Sequence, residues 1–331
     1  MTILLTGAAG FIGFHLARAL LARGERVVGF DSVNTYYDVT LKEARLRVLA
    51  RDPGFTMVRG DLADRAAVLG LAETHPTIDR IVHLAAQAGV RYAEVNPYAY
   101  VDANLMGQVT VLELARRLKR LTHVVYASSS SVYGGNTKLP FSETDPVERP
   151  YSLYAASKRS GEMIATSYAH LHGIPCTGLR FFTVYGPWGR PDMAAFLFAE
   201  AITEGRPITV YGEGKLKRDF TYIDDIVAGL LGCLDAGPAV AARPDEPGGP
   251  PHRIYNLGNH RSEVLDRYIA LIEQALGKQA VRQHAAKPRA DVAETYADIA
   301  RAQADFGFAP TTPIDEGIPR FIAWFRAWKG V

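Results

Sequence analysis

The sequence predicts an α/β fold, a doubly wound parallel sheet followed by a smaller C-terminal α/β domain. Three observations predict it. Short apolar strands alternate with amphipathic helices through the first half of the chain. A glycine-rich turn joins the first strand to the first helix. After about residue 183 the alternation gives way to mixed short strands, turns and helices. The expected division is 1–183 for the first domain and 184–331 for the second, with segments near 221–236 packing back onto the first.

Strands are expected at Thr2 to Thr6, Arg26 to Phe30, Thr56 to Val58, Arg80 to Leu84, His123 to Ala127 and Cys176 to Arg180. Each is a short apolar run rich in β-branched residues or bounded by turn formers. Helical periodicity lies between them at Phe14 to Ala22, Arg65 to Glu73, Tyr100 to Leu118 and Tyr151 to His170. Gly237 to Pro251, rich in Pro, Gly and Ala, reads as a surface loop. A chain of 331 residues at 48% hydrophobic can bury a large core.

Bulk properties exclude several function classes. The formal charge is +2 with acids and bases interspersed, so no nucleic-acid partner or anionic-membrane surface is expected. No apolar run reaches the length of a membrane span. Met1 to Leu21 is apolar but lacks the basic start of a signal peptide. Cys176 and Cys233 lie in apolar surroundings without metal-ligand spacing, as buried thiols of a reducing cytoplasm do. No metal is expected; His170 and His172 read as a helix end.

The first strand runs into Gly7-Ala8-Ala9-Gly10-Phe11-Ile12-Gly13 and then a helix. Glycines there allow a tight turn and let the backbone approach a pyrophosphate at a helix N-terminus. This is a dinucleotide-binding Rossmann turn, with Phe11 and Ile12 in the cofactor-facing stretch. Asp31 ends the second strand, where a carboxylate accepts ribose hydroxyls and repels a 2'-phosphate, so NAD is expected rather than NADP. Asp61 and Leu62 follow the third strand, within reach of adenine; an N-cap is the alternative for Asp61. Leu84-Ala85-Ala86 ends the fourth strand with small residues that let backbone touch the cofactor.

Tyr154 precedes Lys158 by one helical turn and follows a serine run containing Ser129. A lysine ammonium beside a phenol lowers its reference pKa of about 10 and makes a base. Such a base can take a proton from a sugar hydroxyl while hydride leaves for a nicotinamide. Spacing alone is weak evidence, because Tyr211 and Lys215 repeat it inside Tyr-Gly-Glu-Gly-Lys, which is a turn.

The glycines, the serine run before Val132-Tyr133-Gly134, and Tyr154-x-x-x-Lys158 together resemble the extended short-chain dehydrogenase/reductase superfamily of nucleotide-sugar enzymes. Three longer stretches resemble the UDP-glucuronate 4-epimerases within it: Ala85 to Tyr92, Leu179 to Met193, and Arg218 to Asp225. Related 4,6-dehydratases carry an Asp-Glu pair where this chain has Ser130 and Ser131. Related decarboxylases have Tyr-Asp-Glu-Gly-Lys where it has Tyr154-Ala155-Ala156-Ser157-Lys158. The family's Pro-Gly-Asp near position 292 is here Arg289-Ala290-Asp291.

The resemblance implies an isomerase that inverts C4 of UDP-glucuronate through a 4-keto sugar with resident NAD. Tyr154, Lys158 and Ser129 are the implied catalytic residues. Ser129, Ser130 and Thr183 are implied near the uronate carboxylate, with Arg190 beside it. Arg218, then Arg289, are candidates for the diphosphate, where a guanidinium fork fits. Gly89, Val90 and Arg91 are expected to face the sugar, with a structural salt bridge as the alternative for Arg91; Phe198, Val210 and Tyr211 are expected to flank uracil, with core packing as the alternative for Phe198. The family pattern implies a homodimer through the helices Tyr100 to Leu118 and Tyr151 to His170. Competing readings are a UDP-glucose 4-epimerase, a UDP-glucuronate decarboxylase and a non-catalytic NAD sensor.

Overall fold

Strand β1 (Thr2–Thr6) is buried along its whole length, which requires helices on both faces of its sheet. Ile3 and Leu5 point into one core and Leu4 into the other, as the two-residue period of a strand dictates. The computed structural model describes residues 1–242, 248–288 and 291–331.

Seven parallel strands make the central sheet. After β1 come β2 (Arg26–Asp31), β3 (Phe55–Arg59), β4 (Arg80–His83), β5 (His123–Ser129), β6 (Cys176–Phe181) and β7 (His252–Leu257). Their order is β7-β6-β5-β4-β1-β2-β3, so β1 pairs with both β2 and β4. The chain reverses direction of travel between β1 and β4. A ligand cleft opens there, beyond the carboxyl ends of the strands.

Helices α1 (Phe11–Ala22), α2 (Val39–Leu49), α3 (Gly107–Ala115), α4 (Leu153–His172), α5 (Ile223–Ala236) and α6 (Ile314–Lys329) supply most of the covering layers. Ser152 caps α4 by accepting from Ala155 N at 3.1 Å, and Gly173 ends it in the left-handed region. Helix α5 packs against α1. Strand β7 was not anticipated; it extends the first sheet beyond β6. The first sheet therefore takes one edge strand from the second half of the chain.

Three expected elements differ in detail. The helix read over Arg65 to Glu73 breaks at Gly70 into Arg65–Leu69 and Leu71–Thr74. The helix read from Tyr100 contains a π segment, Val101–Met106, before α3. Asn104 in that segment donates to Gln87 O at 3.0 Å and Ser157 Oγ at 2.8 Å, and accepts from Gln87 N at 2.8 Å. Those bonds tie the loop after β4 to α4, and π segments recur at such functional joints. The loop read over Gly237 to Pro251 carries a short helix, Pro238–Ala241; residues 243–247 lie outside the described residues.

The second half adds short paired strands beside the cleft. Ile208–Tyr211 runs parallel to Arg282–Ala285, and Thr183–Tyr185 parallel to Phe220–Tyr222. Among the described residues no helix is long and apolar enough to cross a membrane. Cys176 and Cys233 are free and buried, and burial pushes both thiols up to about 12.

Candidate active site

The glycine turn shows why its residues are glycines. Gly7 has φ +77°, and a Cβ on it would stand 2.8 Å from Ala85 N. A Cβ on Gly13 would stand 2.1 Å from the Gly7 carbonyl oxygen. Backbone thus meets backbone with no room for a side chain, leaving a bare cradle at the N-terminus of α1. Asp31 closes it. Its Oδ2 accepts from Ala9 N at 3.0 Å and its Oδ1 from Val33 N at 2.8 Å. Burial pushes the Asp31 carboxyl up, against those two bonds and the charge of Lys42. Its remaining lone pairs fit ribose hydroxyls.

A cleft of about 980 Å³ begins at this cradle and runs to the second half of the chain. Gly7, Gly10, Phe11, Ile12, Gly13, Asp31, Asp61, Leu62, Leu84, Ala85 and Ala86 line one end. Asp61 is not the helix cap that its sequence position suggested. It accepts from Ala63 N at 2.9 Å, and Asp64 caps the helix that follows. These residues fit a dinucleotide such as NAD.

The catalytic candidates meet at the middle of the cleft. Strand β5 ends at Ser129, whose Oγ accepts from Ser131 N and donates to Ser131 Oγ, both at 3.2 Å. Tyr154 and Lys158 lie one turn apart on α4, and the Ser129 hydroxyl lies beside the phenol. Lys158 Nζ donates to Ala127 O at 3.0 Å. Burial dominates both groups. It raises Tyr154 above its ordinary value, against the Ser129 bond and the charge of Arg190. It lowers Lys158 to about 8, against the charge of Glu162. Ser129 and Arg190 are the groups that favour the phenolate here.

Glu162 stands one further turn along α4 and is fully buried. Arg180 on β6 grips it with two bonds of 2.8 and 2.9 Å, and Ser128 donates to it at 2.6 Å. This ion pair fixes α4 to β5 and β6 and holds Glu162's carboxyl below its usual range. His83, buried on β4, bonds Thr6 Oγ1 at 2.7 Å and is lowered to about 3 by burial, so it is neutral. Neither Glu162 nor His83 was singled out from the sequence. The signal for Glu162 was its place one turn beyond Lys158.

The far end of the cleft gathers Gly89, Val90, Arg91, Ser129, Ser130, Thr183, Arg190, Phe198, Tyr211 and Arg218. Val210 is the exception. It is fully buried in the core, while its strand neighbours Thr209 and Tyr211 face the cleft, as alternation requires. Arg289 lies outside the described residues. Arg91 stands over the Tyr211 ring at 4.6 Å and lies 3.7 Å from Asp291. Arg190 is held by Asp192, with Nε at 3.0 Å, and Tyr36 donates to the same carboxylate at 3.0 Å. Lys215 pairs with Glu213 at 2.7 Å in an exposed turn, which settles the second tyrosine–lysine spacing as incidental. Among the described residues no group of three His, Cys, Asp or Glu is arranged to hold a metal.

Comparison with known proteins agrees with this geometry. Residues 3–258 match the model of the NAD dependent epimerase/dehydratase family. The chain is 47% identical over 333 residues to a probable UDP-glucuronate 4-epimerase of Rhizobium meliloti, covering 98% of this chain and 97% of that protein. It is 46% identical over 335 residues to UDP-glucuronate 4-epimerase 1 of Arabidopsis thaliana, covering all of this chain and 78% of that protein. It resembles the crystal structure of UDP-glucuronic acid 4-epimerase from Bacillus cereus in complex with UDP-glucuronic acid and NAD. That likeness has a TM-score of 0.88 and 32% identity, covering 99% of this chain and 100% of the other.

The lowered Lys158 gives a test of the site's electrostatics. Its folded value lies below its unfolded value, so the native state loses the proton first and stability rises from about pH 8 toward 10.5. Below pH 8 the buried charge costs stability in full. Lys158→Met should therefore melt higher than wild type at pH 7, by about 2 kcal/mol after the lost Ala127 bond is deducted, while turnover disappears. Thermal melts of ligand-free protein at pH 7 and pH 10 check this. A variant less stable than wild type at pH 7 contradicts it.

Proposed function

Because the chain belongs to the NAD-dependent epimerase/dehydratase family, we infer that it is an isomerase that interconverts UDP-glucuronate and UDP-galacturonate at C4. It does so with NAD and through a 4-keto sugar. One observation carries the reading: a single cleft joins the glycine cradle to Ser129, Tyr154 and Lys158, and then to Thr183, Arg190 and Arg218.

NAD, when bound, supplies the acceptor that takes a hydride from C4 and gives it back. The residues do the rest. Tyr154 takes the proton of the C4 hydroxyl and later returns it, which places its phenol in the general-base role. Ser129 bonds the C4 oxygen and the phenol together. Lys158, beside the cradle, bonds the nicotinamide ribose and keeps a positive charge behind the base. Arg218, with Nη1 on the Lys217 carbonyl at 2.8 Å, turns its remaining donors to the diphosphate. Held by its UDP, the sugar turns over before the hydride returns to its other face.

The carboxylate sets a second task. A C4 ketone with a carboxylate on C5 is a β-keto acid, and it loses CO2 when the C5–carboxylate bond stands perpendicular to the carbonyl plane. Ser129, Ser130 and Thr183 hold the group out of that alignment through hydroxyl and backbone donors. Arg190 lines the same cleft beside them. The decarboxylase alternative requires the opposite arrangement, and a neutral hexose makes no use of these donors.

One further reading stands on exposure and one on buried thiols. Val95 and Tyr98, 77% and 76% exposed, lead into the helix before α3, and Met163 on α4 is 59% exposed. Apolar side chains this open on adjacent helices support a homodimer through those helices. A single monomeric species by light scattering at micromolar concentration rejects it. The two buried free thiols suit a cytoplasmic enzyme, which cell fractionation tests.

Purified protein incubated with UDP-glucuronate, followed by proton NMR, should form UDP-galacturonate and no UDP-pentose. Thr183→Val should raise KM for the uronate or release UDP-4-keto-pentose. UDP-pentose from the wild type moves the assignment to a decarboxylase. Unchanged kinetics with no pentose in the variant removes Thr183 from the role.

A further inference from the structure

Arg45 on α2 is fully buried, and the reaction as derived above gives it no part. Among the described residues it forms no ion pair with a carboxylate. Its Nη1 donates to the carbonyl of Ala9, in the glycine turn, at 2.8 Å, and to the Tyr37 hydroxyl at 2.9 Å. Its Nη2 donates to the carbonyls of Trp188 and Gly189, the latter at 3.4 Å. One guanidinium thus joins the cofactor cradle to the turn that carries Arg190.

That turn needs holding. Trp188 has φ +62°, a left-handed conformation that a bulky residue adopts only under constraint. Its carbonyl goes to Arg45. The carbonyl of Pro187 goes to His15 Nε2 on α1 at 2.9 Å, and burial lowers His15 to about 4, so that ring is neutral and donates. The Trp188 ring packs on Phe14 of α1 at 5.0 Å. These ties run to the cradle side of the cleft, while the Trp188 ring also packs on Trp324 and Trp328 of α6 at 5.6 and 5.7 Å.

The loop after Asp31 reaches the same turn from both ends. Tyr37 bonds Arg45, and its neighbour Tyr36 bonds Asp192, the partner of Arg190. A planar fork with donors on two nitrogens can serve two loops at once, where an ammonium serves one point. An apolar side chain in its place leaves the carbonyls of Ala9 and Trp188 buried without a donor.

We propose that Arg45 is a positioning residue, which fixes Arg190 beside Tyr154 by tying the 186–192 turn to the glycine cradle and the loop after Asp31. It couples the adenosine half of the cleft to the sugar half. The inference rests on the reading of Arg190 as a sugar-facing group. Arg190 is one of the two groups that favour the Tyr154 phenolate. Displacing it therefore leaves the base harder to ionise.

The test compares Arg45→Met, Arg45→Lys, Arg190→Ala and the Arg45→Met/Arg190→Ala double variant. Turnover of UDP-glucuronate is measured against pH, and the affinity for added NAD is measured by equilibrium dialysis without any sugar nucleotide. The expected result is that Arg45→Met moves the rising, base-dependent limb of kcat upward by about one pH unit. Arg190→Ala should move it equally, and the double variant no further. Arg45→Met should also bind NAD about tenfold more weakly, with Arg45→Lys in between. A wild-type pH limb in folded Arg45→Met, alongside a shifted limb in Arg190→Ala, overturns the proposal. A wild-type limb in Arg190→Ala overturns the reading beneath it instead. Should Arg45→Met fail to fold, Tyr37→Phe removes one bond from the same guanidinium. A smaller shift in the same direction supports the proposal, and an unchanged profile with unchanged NAD affinity overturns it.

Discussion

Burial of the inward stripe of α4 is the constraint on which the site depends. Lys158 and Glu162, one turn apart, are buried against β5 and β6, and Tyr154, one turn earlier, is half-buried and lines the cleft. The Glu162–Arg180 pair pins that face, because a carboxylate taken wholly out of water must keep its guanidinium. Lys158 then sits between a buried anion and the phenol. Low polarity pushes the phenol up and the ammonium down, so neither group has the charge its chemistry needs at no cost. What opposes burial is local and specific: Ser129 and Arg190 for the phenol, Glu162 for the lysine. The base is poised by neighbours on the cleft side, and its readiness follows whatever places them.

This view joins the two halves of the chain. The first sheet supplies the cradle and the catalytic stripe, and the second half supplies Thr183, Arg190 and Arg218. The turn from Gly186 to Asp192 belongs by sequence to the second half. Its Pro187 and Trp188 carbonyls are nevertheless held by α1 and α2, and the Trp188 ring packs on Phe14 of α1 as well as on Trp324 and Trp328 of α6. Sugar-side specificity is therefore built on the cofactor-side frame, which suits an enzyme that must keep both ligands through a full oxidation and reduction cycle.

Much of this was legible in the sequence. The glycine turn follows an apolar strand, and its spacing has few structural meanings. Tyr154 and Lys158 are local on a helix, and Ser129 ends a strand. The rest was hidden for physical reasons. Helix α2 buries Lys42 and Arg45 among its apolar residues, so its apolar stripe is interrupted and no motif marks it. The carbonyl partners of Arg45 lie 36, 143 and 144 positions away. Val210 was placed at uracil because a four-residue apolar strand gives no sign of which parity faces the cleft; Tyr211 faces it and Val210 does not. Strand β7 follows a proline- and glycine-rich stretch and reads as a continuation of it. Burial is the largest influence on the phenol, and burial is a property of the whole fold.

The most direct measurement follows the hydrogen itself. UDP-glucuronate carrying deuterium at C4 is incubated with the purified enzyme in ordinary water, and the UDP-galacturonate is examined by proton NMR. The account predicts that deuterium stays at C4 with its configuration inverted, since one tightly held cofactor takes and returns the same hydride. Ordinary hydrogen at C4 of the product would contradict it.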